Sequence, residues 1–443
     1  MIIALKIFTL LFLQIAFGFL PLQLFGYFRD KPAWFNLAVA YGLGGYLITI
    51  QLFLILFILK LKFNFFVFLS VIALEMSLLL YFISKRGYKI NFYFQWPKLE
   101  IKKIILILII LLQISFLFFY VLARPTITYD SIAAWSYKAK VLYHQNEISF
   151  YKNNFNYLGG GGHINYPWHV PLQQFWWQKF LGEYSDLYVN LIYFFYFVSI
   201  LIILYYTLVK FIGGFSSLLL IFLLSSMPLF FYHGFNAYAD LSLSCYVLLA
   251  FVLLLASLKN ADNKLLILAG IFFGVAFFVK IEGIIYMIAA ILSLLLFYFQ
   301  IKRQNFFKDF SKFFISIIVP FLPWIFFLVK YDLNISNVES TFGFHPEIFK
   351  NLFFSLFISS NWNIWWYIVV IVFLLNIKRV YKEKELLFGW SFLFLSFGGF
   401  LVLYLFTTEY QFVLDHTALS RNILTLMPLS VLAVGMTFKK LKL

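Results

Sequence analysis

Long apolar runs separated by short polar stretches organise this chain, and the runs predict its elements. They occupy roughly 2–20, 36–59, 64–83, 104–123, 187–209, 215–232, 241–258, 265–279, 283–300, 313–329, 363–377, 387–406 and 423–438. A membrane-spanning helix needs about 20 mostly apolar residues, so about 12 or 13 passes are expected. A barrel strand would instead show about 10 residues of alternating polarity, whereas Ile104 to Leu112 is apolar at every position. The expectation is an all-α polytopic membrane protein. Composition agrees: 63% hydrophobic and 12% charged residues over 443 positions leave too little polar surface for a soluble domain. The first run has no small-residue cleavage site and is followed by further runs, so it is expected to be a retained helix. The single cysteine, Cys245, lies within a run, which excludes an internal disulfide framework and points to packing.

Charge refines the topology. If the connections after the third, fifth, seventh, ninth, eleventh and thirteenth runs are cytoplasmic, they hold Lys85, Arg86, Lys89, Lys98, Lys102, Lys103, Lys210, Lys259, Lys264, Lys302, Arg303, Lys308, Lys312, Lys378, Arg379, Lys382, Lys384, Lys439, Lys440 and Lys442, as the positive-inside bias requires. The net charge of +16 therefore reads as a topology signal rather than a nucleic-acid surface. The same alternation puts Lys60, Lys62 and Met1 outside, against the bias, so the direction of the first two helices stays open. All six histidines, His144, His163, His169, His233, His345 and His416, then fall outside, with Asp130, Glu147, Glu183, Asp186, Asp240, Glu282, Asp332, Glu339, Glu347, Glu409 and Asp415. Neutral histidine is indifferent to the topology bias and acids contribute little to it. The outer face is therefore expected to carry the chemistry.

The outer connection at about 124–186 is too long for an ordinary link between helices. It holds Trp135, Trp168, Trp176 and Trp177, and is expected to lie along the membrane. From Ser131 to Tyr143, Ile132, Trp135, Ala139 and Leu142 share one helical face with Lys138 elsewhere, which suits an interfacial helix. Asp130 directly precedes it, at a membrane exit where an ionisable group is costly and usually functional. It can equally cap the helix, and both roles stay open. Asp240 has the same two readings at the start of the seventh run. Gly159 to Gly162 reads as a hinge, because no helix start with Lys and Ser or Thr follows. Glu75, alone within the third run, reads as an interhelical hydrogen-bonding group.

Five groups of residues occur in an order that resembles a known class. They are Asp130 with Trp135, Lys138, Ala139 and Lys140; Asn165-Tyr166-Pro167 with Pro171, Leu172 and Trp176; Tyr238-Ala239-Asp240-Leu241; Lys280-Ile281-Glu282-Gly283; and His416 with Ser420, Arg421, Met427 and Pro428. Their order resembles that of the bacterial GT-C glycosyltransferases that use polyprenyl-phosphate sugars, the group with protein O-mannosyltransferase-like and aminoarabinose-transferase-like members. The resemblance covers about 120–435. It divides the chain into N-terminal helices at 1–100, without a functional signal, and a GT-C-like catalytic region at 101–443 with its extracytoplasmic loop at 124–186.

The resemblance implies inverting transfer of a sugar from a polyprenyl phosphate to an acceptor hydroxyl of a glycan, lipid or protein, outside the cytoplasmic membrane. It implies that Asp130 takes the proton of the attacking hydroxyl. The departing lipid phosphate needs cations. Arg421 suits it by its planar fork, with Lys280 and Lys138 behind it, while interfacial snorkelling is the bland reading of Arg421. Asp240, Glu282, His416 and Tyr166 complete the expected substrate-binding set. Lys280 and Glu282 are too close in sequence to share a helix face, so a helix break is expected between them. No cofactor is indicated. A divalent metal on histidine with Glu339, His345 or Glu347 stays open, although no tight ligand spacing supports it. The alternative function is a lipid or polysaccharide transporter, which would place polar groups near the midplane of its spans rather than at one face. A membrane acyltransferase would want a histidine inside the bundle, whereas these lie in predicted loops.

Overall fold

The computed structural model describes residues 2–88, 100–148, 165–301, 306–335 and 342–438. His163, the glycine run 159–162 and Glu339 lie outside these residues. The secondary structure of the described residues is helical. In chain order the main helices are α1 (Ile2–Leu22), α2 (Ala33–Phe53, continued by a π-turn to Ile58), α3 (Phe65–Lys85), α4 (Ile101–Ala123), α5 (Tyr137–Gln145), α6 (His169–Leu181), α7 (Asn190–Ile212), α8 (Gly214–Ser225) and α9 (Pro228–His233). They continue as α10 (Ala239–Asn260), α11 (Asn263–Val279), α12 (Gly283–Ile301), α13 (Phe306–Ile318), α14 (Leu322–Lys330), α15 (Ile348–Phe353), α16 (Trp365–Lys382), α17 (Lys384–Phe406) and α18 (Leu419–Thr437).

Each of the thirteen apolar runs meets a helix, but ten of the described helices are long and apolar enough to cross a membrane. The sixth run is broken. Pro228 has no N–H to donate and its ring clashes with the preceding turn, so α8 stops at Ser225 and α9 restarts at Pro228. The eighth run, α11, has 17 residues and is short for a pass. The eleventh, α16, has length enough but ends in Lys378, Arg379 and Lys382.

Burial sorts the bundle. In α10 and α18, 89% of the apolar window is buried within the protein, against 17% in α3 and α4. The first pair forms the centre, and the second leaves its apolar residues to lipid. Close crossings depend on small residues. A Cβ on Gly18 of α1 would collide with the Ala40 carbonyl of α2, and one on Gly44 with the Gln14 carbonyl of α1. Glu75 is placed as expected, accepting from Gln51 Nε2 at 2.6 Å between α3 and α2. Cys245 is buried and free.

Contacts among the connections group the helix ends into two sets. Lys6 Nζ donates to the Leu181 carbonyl at 2.5 Å, Phe63 N donates to Asn146 O at 2.7 Å, and Asn165 Nδ2 donates to Asn334 O at 2.8 Å. The start of α1 and the α2–α3 link therefore share an end with the long connection. At the other end Arg29 lies 3.3 Å over the Tyr88 ring and Arg379 Nη1 donates to Thr437 O at 2.6 Å. The open direction of the first two helices thus follows the simple alternation, with Lys60 and Lys62 at the same end as Asp130.

The described part of the long connection packs against protein rather than lipid. Trp135, Trp168, Trp176 and Trp177 are all buried, and α6 packs into the bundle against α1 and α2. Buried polar bonds hold it there: His169 Nδ1 to Thr49 Oγ1 at 2.7 Å, and Trp177 Nε1 donating to Gln14 Oε1 at 3.1 Å. Tryptophan acts here as core volume rather than as a membrane anchor.

Candidate active site

The segment before Asp130 is fixed at its root. Thr126 N donates to Asp186 O at 3.0 Å, and Asn190 Nδ2 donates to Arg124 O at 3.1 Å. Ile132 N then donates to Thr128 O, so Asp130 already lies in a helical turn. Its side chain makes no capping bond, which removes the cap reading. Residues Ser131–Ser136 wind as a π-helix before α5 begins. A π-turn holds more residues than an α-turn and so rotates everything that follows. Within that turn Ile132 leaves the expected apolar face and is exposed, whereas Ser131 and Ser136 are buried; Lys138, at i+3 from Trp135 and i−4 from Leu142, is buried beside Trp135, Ala139 and Leu142.

Asp130 instead forms a short ion pair with Arg421 Nη1. Arg421 sits in the first turn of α18, where its Nε donates to Thr417 O at 2.9 Å and its guanidinium lies 5.3 Å over the Tyr238 ring. This is not the posture of a snorkelling side chain. The next residue, Asn422, turns inward and joins a second cluster. Lys280 Nζ donates to Asp240 Oδ1 at 2.8 Å and Asn422 Oδ1 at 3.3 Å, and pairs with Glu282 Oε1 at 2.7 Å. Asn422 Nδ2 donates to Tyr404 Oη at 2.6 Å.

Asp240 occupies the first turn of α10, but Tyr238 holds the N-cap position, so capping is not the role of this carboxylate. The helix end nevertheless favours an anion there. Lys280 ends α11 in extended backbone, the chain turns through Ile281 and Glu282, and α12 starts at Gly283. This is the expected break. Gly283 is required by close approach, since a Cβ would strike the backbone of Ala276. Burial alone would lower the Lys280 pKa, but Asp240 and then Glu282 outweigh it and hold the ammonium above its ordinary value. Burial, followed by Glu282, raises the Glu409 carboxyl.

A cavity of about 300 Å³ opens beside Arg421, with Tyr238, His233, His416, Ser355, Asn361 and Ser420 on its walls. The His233 ring stacks on Tyr238 at 4.8 Å. Its Nδ1 is buried 4.0 Å from Asp240 Oδ2 and finds no hydrogen-bond partner among the described residues. Burial pushes the His233 pKa down to about 4, against the opposing pull of Asp240. Arg421 thus stands where the Asp130 pair, the Asp240 cluster and the cavity meet.

Of the expected residues, Asp130, Arg421, Asp240, Lys280 and Glu282 are brought together and His416 joins them on the cavity wall, with φ +60°. Lys138, expected behind Arg421, occupies an aromatic surround. It is buried, with Nζ 4.9 Å over Trp168, 5.5 Å over Trp135 and 6.0 Å over Tyr166, and burial pushes its pKa down to about 7. Tyr166 is one of these rings, its phenol pushed up to about 12 by burial and then by Glu282. His169, expected in an outer loop, is inside the bundle. His345 pairs with Glu347 at 3.1 Å near the surface. Among the described residues no group of three or more His, Cys, Asp or Glu side chains could hold a metal.

His233, Asn422, Tyr404, Ser355 and Asn361 were missed. The polar stretch Ser359-Ser360-Asn361-Trp362-Asn363 ahead of an apolar run was the available signal for Asn361. Asn422 simply follows Arg421. Nothing local marks Tyr404, which lies in the apolar helix α17.

Residues 174–324, about a third of the chain, match the family model of the dolichyl-phosphate-mannose-protein mannosyltransferases. The segment contains Asp240, Lys280 and Glu282 and leaves out Asp130 and Arg421. No curated protein matches the chain. Among solved structures it is similar to ArnT from Cupriavidus metallidurans, in the apo state and bound to undecaprenyl phosphate, each with 11% identity and a TM-score of 0.49. The likeness covers 76% of this chain and 60% of ArnT, so the chain spans less than two thirds of ArnT's length. The family match supports the resemblance to the GT-C class that the ordered motifs carry.

Proposed function

We propose that this protein is a membrane glycosyltransferase that moves a sugar from a polyprenyl-phosphate donor to an acceptor hydroxyl, with inversion, at the outer face of the cytoplasmic membrane. The meeting of Asp130 and Arg421 supports this reading above all. They lie 291 positions apart in sequence, yet they pair beside a cavity and next to the Asp240–Lys280–Glu282 cluster. The family match adds that sugar transfer from a lipid phosphate is the chemistry of similar proteins, and the lysine and arginine distribution supports an outer position for this end of the bundle.

The acceptor oxygen attacks the anomeric carbon, its proton passes to the Asp130 carboxylate, and the bond from that carbon to the phosphate oxygen breaks. Charge grows on the departing lipid phosphate, and Arg421 meets it with a planar fork. Asp130 and Arg421 occupy each other. Phosphate oxygens arriving at Arg421 compete with Asp130 for the same guanidinium, so donor binding frees the base. Lys280 is neutralised by two carboxylates and serves to hold Asp240 and Glu282 towards sugar or acceptor.

Membranes holding wild type or Asp130→Asn would be incubated with a panel of radiolabelled polyprenyl-phosphate sugars. Transfer by the wild type alone is expected; equal rates in a folded Asp130→Asn protein would overturn the assignment. Sidedness would be read in a Cys245→Ser background by labelling single cysteines at Glu183 and Lys264. Opposite accessibility is expected, and the same side for both would refute the topology.

A further inference from the structure

At the end of the bundle opposite Asp130, cations from four separate segments converge. Arg29 and Lys31 stand in the link between α1 and α2, Arg86 follows α3, Lys210 lies in the last turn of α7, and Lys259 and Lys264 flank the turn from α10 to α11. The link is held in place. Asn36 Nδ2, buried in α2, donates to the Phe28 carbonyl at 2.7 Å, and Arg29 Nε donates to the Gln23 carbonyl at 3.0 Å. Aromatic rings brace the charged ends as well: the Lys210 ammonium lies 3.8 Å over Tyr206, the Lys31 ammonium 4.4 Å over Tyr27, and the Arg29 guanidinium 3.3 Å over Tyr88. Their charges act on one another. Lys31 and Lys259 both repel Lys210, while Arg29, through a hydrogen bond, and then Arg86 and Lys264 hold the Tyr88 phenol below its ordinary pKa.

None of these cations forms an ion pair among the described residues, whereas at the same end Lys103 has Glu100 and Arg379 has Glu383, each at 2.8 Å. The acids nearest in sequence do not fill the gap. Asp262 Oδ1 accepts from Lys264 N at 2.8 Å and from Leu265 N at 3.4 Å as the cap of α11, and Asp30 is exposed and makes no ion pair among the described residues. Topology bias accounts for cations at this end, but not for gathering them unpaired on aromatic rings, because like charges held together repel. An anion is missing from the patch. Its surroundings select the kind of anion: Val209 beside Lys210, Phe215 of α8, and Tyr81 and Phe82 of α3 are exposed, so apolar surface runs up to the cations. Acyl chains suit that surface and a phosphate suits its charged edge.

We propose that this patch binds the phosphodiester headgroup of an anionic phospholipid, with Lys31, Lys210 and Lys259 gripping it and Arg29, Arg86 and Lys264 around them. The site stands apart from the reaction proposed above, since it lies at the opposite end of the bundle and uses neither Asp130 nor Arg421. The full-length protein in detergent would be titrated with dioleoyl-phosphatidylglycerol, with zwitterionic dioleoyl-phosphatidylethanolamine and with ATP, and the bound molecules counted by native mass spectrometry. Phosphatidylglycerol is expected to bind at least about tenfold more tightly than either of the others.

The triple variant Lys31→Gln, Lys210→Gln and Lys259→Gln should lose about 100-fold in phosphatidylglycerol binding, since each cation near a headgroup contributes about fivefold. A control triple, Lys378→Gln, Lys382→Gln and Lys384→Gln, removes exposed lysines of the same end and should stay within about twofold. Lys259→Gln alone, at an exposed position, should cost about fivefold and keeps the test decisive if the first triple does not fold. Equal binding of the two lipids overturns the proposal. Equal losses in the two triple variants overturn it too, because they leave only the general charge of this end. Tighter binding of ATP than of phosphatidylglycerol, lost in the first triple, assigns the patch to a soluble phosphate compound and overturns the lipid assignment.

Discussion

Two polar clusters lie within the same bundle and differ in charge and in access. One surrounds His169. Its Nδ1 meets Thr49 at 2.7 Å, its Nε2 meets Tyr246 and Tyr196 at 3.2 and 3.3 Å, Tyr196 donates to Gln173 Oε1 at 2.9 Å, and Tyr246 donates to Gly42 O at 2.7 Å. Every member is neutral, and the cluster ties α6 to α2, α7 and α10. The other holds Asp130, Arg421, Asp240, Lys280 and Glu282, three carboxylates against two cations, beside a cavity. Neutral groups bonded to one another need no water and hold helices in register. Charges at a cavity edge are costly and useful only when something comes to meet them. A histidine inside the bundle is therefore structural here, not the acyl-transfer group that its position alone would suggest.

The contrast is testable from its strongest effect downwards. Lys280→Met leaves the buried Asp240 and the half-buried Glu282 without their shared cation and should cost about 3–5 kcal/mol of stability. Adding Asp240→Asn should recover part of that loss in detergent-melting measurements, and strictly additive losses would deny the coupling. Arg421→Gln should lower transfer by about 10²–10³-fold, the usual effect of removing one donor to a developing anion. It should do so in a protein that melts close to wild type, since Asp130 stays partly solvated. Tyr246→Phe should do the reverse. It strips partners from His169, Tyr196 and Gly42, costs about 1–3 kcal/mol, and leaves transfer per folded molecule unchanged.

A further effect concerns pH. Burial pushes His233 down to about 4 and His169 to about 3, while an unfolded histidine takes its proton near 6.5. Between those values the unfolded chain binds more protons, so stability should fall as pH drops from about 6.5 towards 4. His233→Gln should flatten that fall without abolishing it, because His169 remains. An unchanged pH profile would show that His233 contributes nothing to it.

The helices were legible because spanning a membrane imposes a composition on each one, and thirteen runs announce themselves without reference to their neighbours. The acidic and basic candidates were legible for the same reason, since a charge beside a lipid-facing segment stands out. Lys138 shows where this fails. Its charge suggests a position off the apolar face, yet it lies three residues after Trp135 and four before Leu142, on the side of α5 that the bundle buries in an aromatic cage. The broken sixth run was foreseeable from Pro228, whereas the burial of α6 was not, because a tryptophan-rich amphipathic segment suits a lipid interface and a protein core equally well.

By itself, then, the amino-acid sequence determined that this is an all-α polytopic chain, which ends of its helices gather cations, and that Asp130, Asp240, Lys280, Glu282 and Arg421 are the charges to explain. Tertiary structure alone decided their partners: Arg421 with Asp130, Lys280 with Asp240 and Glu282, and a neutral wall of Ser355, Asn361 and Ser420 beside them. The physical reason is range. Hydrophobic spacing acts within one helix and is written in consecutive residues, whereas an ion pair is chosen by which helix ends meet, and that depends on the packing of the whole bundle.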